Sequence, residues 1–319
     1  MSTGTTMSQS AIADADQGPA SWSPRVSVVR SLKQRALYRF VRNPLAMSGA
    51  IIIVIALLAA ILAPLLAPYS PSEPDMLSVN QWPSGEHWLG TDASGVDMLS
   101  KLFFALRTTF IISTIAMVIT AILGVGIGLI AGHHGGWVDT ALSRLIDVVF
   151  AFPSILVALL LQATWGQVMY DRFGSAGRLY TTMLAISLFY WVGVARVIRA
   201  EVFSLRESQF VDAAKVSGST TGWIVRKHML PNVLGTAAVL ISLGFGDVIA
   251  IEAILSFVGL GVTPPTASLG QMIQGGQLYI DPFWYQFVVP GTALAVLVLA
   301  FAFIGDGIRD AFDPRQSDR

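Results

Sequence analysis

The chain alternates between long apolar runs and shorter polar segments. Six of the runs approach or exceed the roughly 20 residues that a helix needs to cross a bilayer core. They lie at about Leu45–Ala67, Thr108–Ala131, Leu145–Trp165, Leu179–Ala195, Leu234–Val262 and Phe283–Ile304. Because lipid cannot pair with free backbone groups, each run is expected to be helical. The pattern predicts an all-α integral membrane protein with six transmembrane helices.

The composition agrees with this class. Hydrophobic residues make up 54% of the 319 residues and charged residues only 13%, whereas a soluble globular domain has roughly 25% charged residues. The formal net charge is zero, so no overall basic field indicates nucleic-acid binding. The chain has no cysteine, which excludes disulfides, thiolate metal sites and cysteine nucleophiles.

The distribution of basic residues predicts the orientation of the spans, because Lys and Arg accumulate in cytoplasmic segments. The segment before span one and the segment between spans four and five hold six basic residues each. The three segments on the other side hold four in total, namely Lys101, Arg107, Arg172 and Arg178. Both termini are therefore predicted to be cytoplasmic.

The spans divide the chain into regions. Residues 1–35 are predicted to form a disordered cytoplasmic tail, since the start of the chain is polar and shows no apolar period. Residues 36–107 hold the first span and an external loop, and residues 108–312 form a core with five spans. Residues 313–319 form a second cytoplasmic tail. Inside the core, the loop at about 200–232 carries the most specific pattern.

That loop reads Asp212-Ala213-Ala214-Lys215-Val216-Ser217-Gly218, then nine residues, then His228-Met229-Leu230-Pro231-Asn232. Phe210 to Val216 is predicted to be a short helix with small residues on its surface. Gly218 is predicted to take a left-handed turn at low cost. A second short helix from about Thr221 to His228 would then lead to the start of span five. The result is a helix–turn–helix knob fixed to a transmembrane helix.

The spacing resembles the EAA loop of permease subunits in ABC importers, which reads E-A-A, three residues, G, nine residues, I, one residue, L-P. Asp212 stands where the family usually has Glu, and His228 stands where it usually has Ile. The matching residues are Ala213, Ala214, Gly218, Leu230 and Pro231. Asp keeps the negative charge at a helix start, where the helix dipole favours it.

Other segments resemble the second, C-type permease of the dipeptide, oligopeptide and nickel importers. They are Arg42-Asn43-Pro44-Leu45-Ala46, His87-Trp88-Leu89-Gly90-Thr91-Asp92 with Gly95, Asp97 and Ser100, Ala131 to Asp139, Arg144 to Asp147, and Glu252 to Gly261 with Pro264-Pro265. Val96 stands where the family usually has Arg. The resemblance covers the chain from about residue 36 to 312.

The resemblance implies a type I ABC importer permease fold in the bacterial inner membrane. It also implies the partners: a second homologous permease chain, two cytoplasmic ATPases that bind ATP and magnesium, and an external substrate-binding protein. The EAA-like residues would dock on an ATPase, so this chain would be non-catalytic and would hold no cofactor or metal. No G-x-x-x-x-G-K-[ST] motif occurs in the chain. The implied cargo is a dipeptide or oligopeptide, and nickel or a metal chelate is the alternative.

Three acidic residues lie in or at the ends of spans. An ionised carboxylate at the bilayer centre costs about 2.5–3.5 kcal/mol, so each is expected to face protein or a water-filled path. Asp247 and Glu252 lie on span five, and two interpretations are open. They either line the translocation path, with a role toward a peptide amino group, or make interhelical contacts that fix packing. Asp147 is expected at the interface near Arg144.

The remaining polar and aromatic residues indicate no catalytic site. The four histidines lack a suitably spaced carboxylate, which argues against a metal site. The outward aromatics Trp82, Trp88, Trp284 and Tyr285 are predicted to be interfacial anchors. A secondary transporter would be expected to show inverted repeats, broken helices or rings of charge, and a membrane enzyme would be expected to show a catalytic constellation. We identify neither in the sequence.

Overall fold

The computed structural model describes residues 32–312, and within this range the chain forms fourteen α-helices. They are α1 Leu32–Arg42, α2 Pro44–Ile61, α3 Ala63–Leu66, α4 Met98–His134, α5 Gly136–Phe150, α6 Ser154–Leu161, α7 Gln167–Phe173, α8 Ser175–Arg206, α9 Gln209–Val216, α10 Thr221–Ile224, α11 Leu230–Phe257, α12 Leu269–Gln277, α13 Ile280–Phe283 and α14 Tyr285–Phe312. Two π-helical turns, Gln162–Gly166 and Val225–Met229, connect α6 to α7 and α10 to α11. The described residues form no strand, in agreement with the all-α prediction.

Five helical stretches of the described chain are long and apolar enough to cross a membrane. They are Pro44–Ile61, Met98–His134, Ser175–Arg206, Thr221–Phe257 and Tyr285–Phe312. Each contains or overlaps one of the predicted apolar runs. A sixth span is obtained when Gly136–Phe150 and Ser154–Phe173 are counted together, although these two pieces meet at an angle of 77°.

The prediction of one continuous third span over Leu145–Trp165 is wrong. Helix α5 ends at Phe150 and α6 begins only at Ser154, so the break falls inside the apolar run. Pro153 explains the position of the break, because a proline has no N–H to donate and disfavours a helical conformation at the residue before it. Apolar length alone contains no information on this bend.

Two predicted region boundaries also fall inside helices. Helix α1 begins at Leu32, within the predicted tail 1–35, because the segment LKQRALYRFVR consists largely of good helix formers. Helix α4 runs from Met98 through the predicted boundary at residue 108, since Asp97 caps its first turn. Residues 1–31 and the predicted tail 313–319 lie outside the described residues.

Helices α4 and α8 form the closest helix pair. Three glycines spaced four apart on α4 face α8, and they are Gly124, Gly128 and Gly132. A Cβ atom at Gly128 would lie 2.8 Å from the Cβ of Ile198, and one at Gly132 would lie 2.8 Å from the Cβ of Val202. The two backbones therefore approach more closely than larger residues would allow.

The other spans pack around this pair. Helix α14 contacts α2, α11 and α12, and α11 contacts both α4 and α8. A buried cluster near the start of α4 joins five helices, α2, α4, α11, α12 and α14, through residues such as Phe110, Ile249 and Leu297. Beyond α11, the short helix α12 lies against the last turns of α11, where a Cβ at Gly270 would be 2.8 Å from the Cβ of Ser256.

Candidate functional site

The segment between α8 and α11 forms a small helical knob, which we define as residues 207–229. Its core is apolar. Val211 from α9, Ile224 from α10 and Met229 from the π-turn are fully buried or nearly so. They pack with Ile198 and Val202 of α8 in one cluster. The knob is thus fixed to the ends of two transmembrane helices by side chains that avoid water.

Gly218 makes the turn between α9 and α10. Its φ is 77°, in the left-handed region, as the sequence predicts. The Gly218 amide donates to the Lys215 carbonyl and the Ser219 amide donates to the Ala214 carbonyl, both at 3.0 Å. This pair of bonds is the Schellman arrangement that ends many helices. A Cβ at Gly218 would meet no atom within 4 Å, so backbone conformation is the reason for glycine here.

The outer face of the knob combines exposed apolar side chains with an ion pair. Val216 is 90% exposed, and Phe210 and Trp223 are also exposed. Asp212 lies in the first turn of α9 and accepts from Lys215 Nζ at 2.9 Å. Ala213 is exposed, whereas Ala214 packs against the buried cluster. The small residues leave a shallow surface that another protein can approach.

The second half of the EAA-like pattern lies where the knob joins α11. The His228 ring packs 5.0 Å from the Trp223 ring and 5.8 Å from the Phe210 ring, measured between centroids. Leu230 contacts the buried cluster. Pro231 follows the π-turn, and its missing N–H accounts for the irregular helix there. The predicted second short helix is therefore continuous with α11.

Ion pairs attach α8, which leads into the knob, to α5. Arg199 and Asp139 form a two-bond pair, with Nε–Oδ1 at 2.5 Å and Nη2–Oδ2 at 2.8 Å. Arg196 Nη2 lies 3.1 Å from Asp147 Oδ1. Asp147 thus pairs across to α8, a contact that the sequence did not predict.

The partner of Arg199 was missed from the sequence, although a signal exists. Asp139 and Asp147 are eight residues apart on α5, while Arg196 and Arg199 are three apart on α8. Residues at these spacings lie near one face of a helix. Two acidic residues on one helix face and two basic residues on another indicate that the two faces pair with each other.

Asp247 and Glu252 of α11 have different surroundings. Five residues turn an α-helix by roughly 500°, so the two side chains are about 140° apart. Glu252 is 1% exposed and accepts from the Ser256 hydroxyl at 2.7 Å. Asp247 is exposed, and its Oδ2 accepts from the Tyr190 hydroxyl at 2.5 Å. The two residues therefore do not form one site.

A cavity of about 430 Å³ lies between α8, α11 and the break in the third span. Its wall includes Phe150, Phe152 and Ser154 from the break, Tyr190 from α8 and Ile251 from α11. The wall is mainly apolar. This volume is within the range of about 300–1,000 Å³ that is usual for small-molecule sites.

The loop between α3 and α4 is held by hydrogen bonds. Asp97 caps α4, because Oδ2 accepts from the Ser100 amide at 2.8 Å, and its Oδ1 lies 3.0 Å from His87 Nδ1. Thr91 Oγ1 accepts from the Gln81 amide at 2.8 Å and donates to the Ser78 carbonyl. The G-T-D segment noted in the sequence thus folds this loop.

Electrostatics in the loop follow the same pattern of local pairing. Asp92 Oδ2 lies 2.5 Å from Lys101 Nζ. Hydrogen bonds from the Ser78 hydroxyl and the Leu77 amide lower the pKa of the exposed Asp75 carboxyl. The Asp75 carboxylate is therefore expected to remain charged at neutral pH.

The prediction that Tyr285 is an interfacial anchor is wrong. Tyr285 is 2% exposed, and its hydroxyl donates to the carbonyls of Gln81 at 2.7 Å and Thr91 at 3.0 Å. The first turn of α14 therefore holds the loop between α3 and α4 in place. A buried tyrosine usually has a hydrogen-bond partner for its hydroxyl, and these carbonyls provide it. The general preference of tyrosine for membrane interfaces does not predict this position.

Comparison with solved structures defines the class of this fold. A chain of the MetNI methionine ABC transporter in an inward-facing crystal form superimposes with a TM-score of 0.53 at 18% identity. The match covers 67% of this chain and 97% of that chain. The protein is thus a multi-pass helical membrane protein with the fold of an ABC transporter permease.

Comparison of sequences identifies the family. Residues 124–318 match the family described as binding-protein-dependent transport system inner membrane component. Residues 31–83 match the N-terminal transmembrane domain of oligopeptide transport permease C. The chain belongs to this family of permease subunits.

Two relatives show the level of similarity. The dipeptide transport system permease protein DppC of Alkalihalophilus pseudofirmus is 37% identical over 282 residues, which are 88% of this chain and 90% of the relative. The oligopeptide transport system permease protein OppC of Bacillus subtilis is 33% identical over 285 residues, covering 89% of this chain and 90% of that protein.

Proposed function

We propose that this chain is one of two homologous permease subunits of an ATP-driven importer that carries peptides. An external binding protein delivers the cargo, and two cytoplasmic ATPase chains bind ATP and magnesium. Both termini of this chain and the knob lie on the cytoplasmic side. The chain contributes half of the path and the mechanical joint to one ATPase, and it performs no chemistry itself.

The knob is the observation that carries the proposal. Its sequence has the EAA-like spacing, and its geometry suits docking. The buried anchors Val211, Ile224 and Met229 hold it against α8 and α11, while Val216 and Trp223 remain exposed. An apolar surface rimmed by polar residues is typical of a protein interface. A displacement of the knob by an ATPase would therefore be transmitted to two spans.

Charge supports the cytoplasmic location of the knob. The segment that contains it holds six basic residues, as does the segment before span one. Cytoplasmic segments of membrane proteins carry this excess. Six spans lie between the two ends of the chain. Because this number is even, both ends are expected on the same side of the membrane.

The relatives support peptide as the cargo. The proteins of A. pseudofirmus and B. subtilis described above carry the names of dipeptide and oligopeptide permeases. Identity of 33–37% over nearly the whole chain favours the same class of cargo. Nickel or a metal chelate remains the alternative that the uptake experiment tests.

The experiment compares uptake of a radiolabelled dipeptide in cells with and without this chain. Uptake is expected to disappear on deletion and to return with the wild-type chain. The Gly218→Leu variant is expected to insert normally yet to restore less than a tenth of the uptake, because a side chain at a left-handed position costs about 1–2 kcal/mol and deforms the turn.

The matched control is Gly218→Asn, since asparagine tolerates the left-handed region better than other residues with a side chain. It is expected to restore most of the uptake. Uptake by Gly218→Leu at the wild-type rate would refute the role of the knob. Dipeptide uptake that is unchanged by deletion, together with loss of nickel uptake, would transfer the cargo assignment to the metal.

A further inference from the structure

We propose that the Asp247 carboxylate binds the protonated amino group of the cargo on the translocation path. This inference rests on the proposed peptide import and deepens it, because it assigns the feature of the cargo that the permease itself recognises.

Asp247 lacks a cationic partner within the described chain. It lies near the middle of the apolar run Leu234–Val262. The ion pairs found among residues 37–312 involve other acidic residues. The Tyr190 hydroxyl donates to one carboxylate oxygen only. An ionised carboxylate at this depth is costly unless a positive charge or water approaches it.

Asp247 lies on the face of α11 that borders the cavity. Asp247 follows Leu240 by seven residues and precedes Ile251 by four, so the three side chains lie on one face of α11. Leu240 and Ile251 both line the 430 Å³ cavity, and so does Tyr190, which contacts the carboxylate directly. Asp247 is not itself a wall residue, but it lies between two wall residues on this helix face and is hydrogen-bonded to a third, Tyr190.

The packing between α8 and α11 holds the Tyr190 ring close to Asp247. Gly244 precedes Asp247 by three residues, and a Cβ there would lie 2.9 Å from Cε1 of Tyr190. The absence of a side chain at Gly244 lets the tyrosine ring cross α11 and reach the carboxylate. The hydroxyl fixes one oxygen of Asp247 and leaves the other free to accept from a ligand.

The chemistry fits a peptide amino group. Every peptide with a free amino terminus carries this cation, whatever its side chains, and apolar walls tolerate side chains of different shape. A single carboxylate in mainly apolar surroundings therefore selects a class of cargo without selecting a sequence. Its attraction for an ammonium group is stronger there than in water because the local dielectric constant is lower.

The first test measures selectivity. Uptake of a dipeptide is compared with uptake of its des-amino analogue, in cells that carry wild type, Asp247→Asn or Asp247→Glu. The contribution of the binding protein is common to all three and cancels when the uptake ratios are compared. The ratio is expected to fall at least tenfold in Asp247→Asn and to remain near wild type in Asp247→Glu. An unchanged ratio in Asp247→Asn would overturn the proposal.

The second test needs no transport and uses the absence of cysteine from the chain. In a Ser154→Cys variant, the introduced thiol lines the cavity, and its labelling by a cationic and an anionic thiosulfonate reagent of equal size is measured by mass spectrometry of this chain. The cationic reagent is expected to react about tenfold faster. Adding Asp247→Asn should remove this preference, and a free dipeptide should slow the labelling.

The control for the second test is Asp147→Asn, which removes another carboxylate from the spans but one that already pairs with Arg196. It should leave the labelling preference intact. A preference that survives Asp247→Asn overturns the inference, and so does loss of the partner permease from the purified complex on Asp247→Asn, which would assign the carboxylate to an ion pair between permeases. Absence of dipeptide uptake in wild type would instead contradict the proposed function.

Discussion

The loop between α3 and α4 and the knob both connect spans, but different forces hold them in place. The loop is fixed by buried polar groups, among which Thr91, Asp97 and Gln286 are almost inaccessible to water. The knob is fixed by buried apolar groups, and its polar groups lie outside. Hydrogen bonds are directional and specify one geometry, whereas apolar anchoring holds a segment and leaves its polar face available.

The difference agrees with the proposed role of the knob and with the helix contacts of the loop. The loop stands over the start of α4 and of α14 and ties them together through Tyr285 and Gln286, which both donate to the Thr91 carbonyl. The knob carries its exposed surface away from the spans. A segment that receives force through a docked partner needs firm anchors and a free face, while a segment that sets the spacing of helices needs directional bonds.

The largest effect is expected from the knob's apolar anchors. Met229→Ala should destabilise the knob by about 2–5 kcal/mol, because it removes a fully buried side chain and leaves a cavity. Trypsin cleavage after Arg226 and Lys227 in the purified complex should then accelerate. Glu207→Ala, at an exposed position of the knob that is not part of the proposed docking surface, serves as the control and should change the cleavage rate little. Equal rates in the two variants would show that the anchors are not what holds the knob.

A smaller effect is expected in the polar loop. Thr91→Val keeps the shape of the side chain but leaves the Gln81 amide and the Ser78 carbonyl without their partner. The expected cost is about 1–3 kcal/mol, seen as faster chymotrypsin cleavage at the exposed Leu77. Ser94→Ala, on the same loop and exposed, should behave as wild type. If Thr91→Val were equally resistant, the loop would not depend on its buried hydrogen bonds.

The smallest effect is expected from the ion pairs between α5 and α8. A double-mutant cycle with Arg199→Gln and Asp139→Asn should give a coupling energy of about 0.5–1 kcal/mol in thermal unfolding, because both side chains are partly exposed. The same cycle on the more exposed pair Arg196 and Asp147 should give a smaller value. A reversed order would show that geometry and burial do not control these pairs.

Sequence patterns captured the features that depend on local chemistry. Apolar length located the spans, and a glycine just after the predicted short helix, Gly218, predicted a left-handed turn. The break at Pro153 was missed because an apolar run has the same length whether or not its helix is interrupted. The burial of Tyr285 was missed because its partners, Gln81 and Thr91, lie about 200 residues away in the chain. The difference between Asp247 and Glu252 depends on which helix faces each one, and a single sequence does not contain that information.

Helix α8 connects the knob to the cavity as one continuous helix. It is one uninterrupted rod of 32 residues, about 48 Å long at 1.5 Å per residue. One end enters the knob at Arg206, and Tyr190 lies roughly 24 Å back along the same rod. If α8 tilts as a rigid body, a displacement of its end at Arg206 also displaces Tyr190, and the position of the pivot determines by how much. The ratio between a displacement at the proposed docking surface and the resulting displacement at the cavity therefore depends on where α8 pivots, and its close contact with the three glycines of α4 restricts where that pivot can lie.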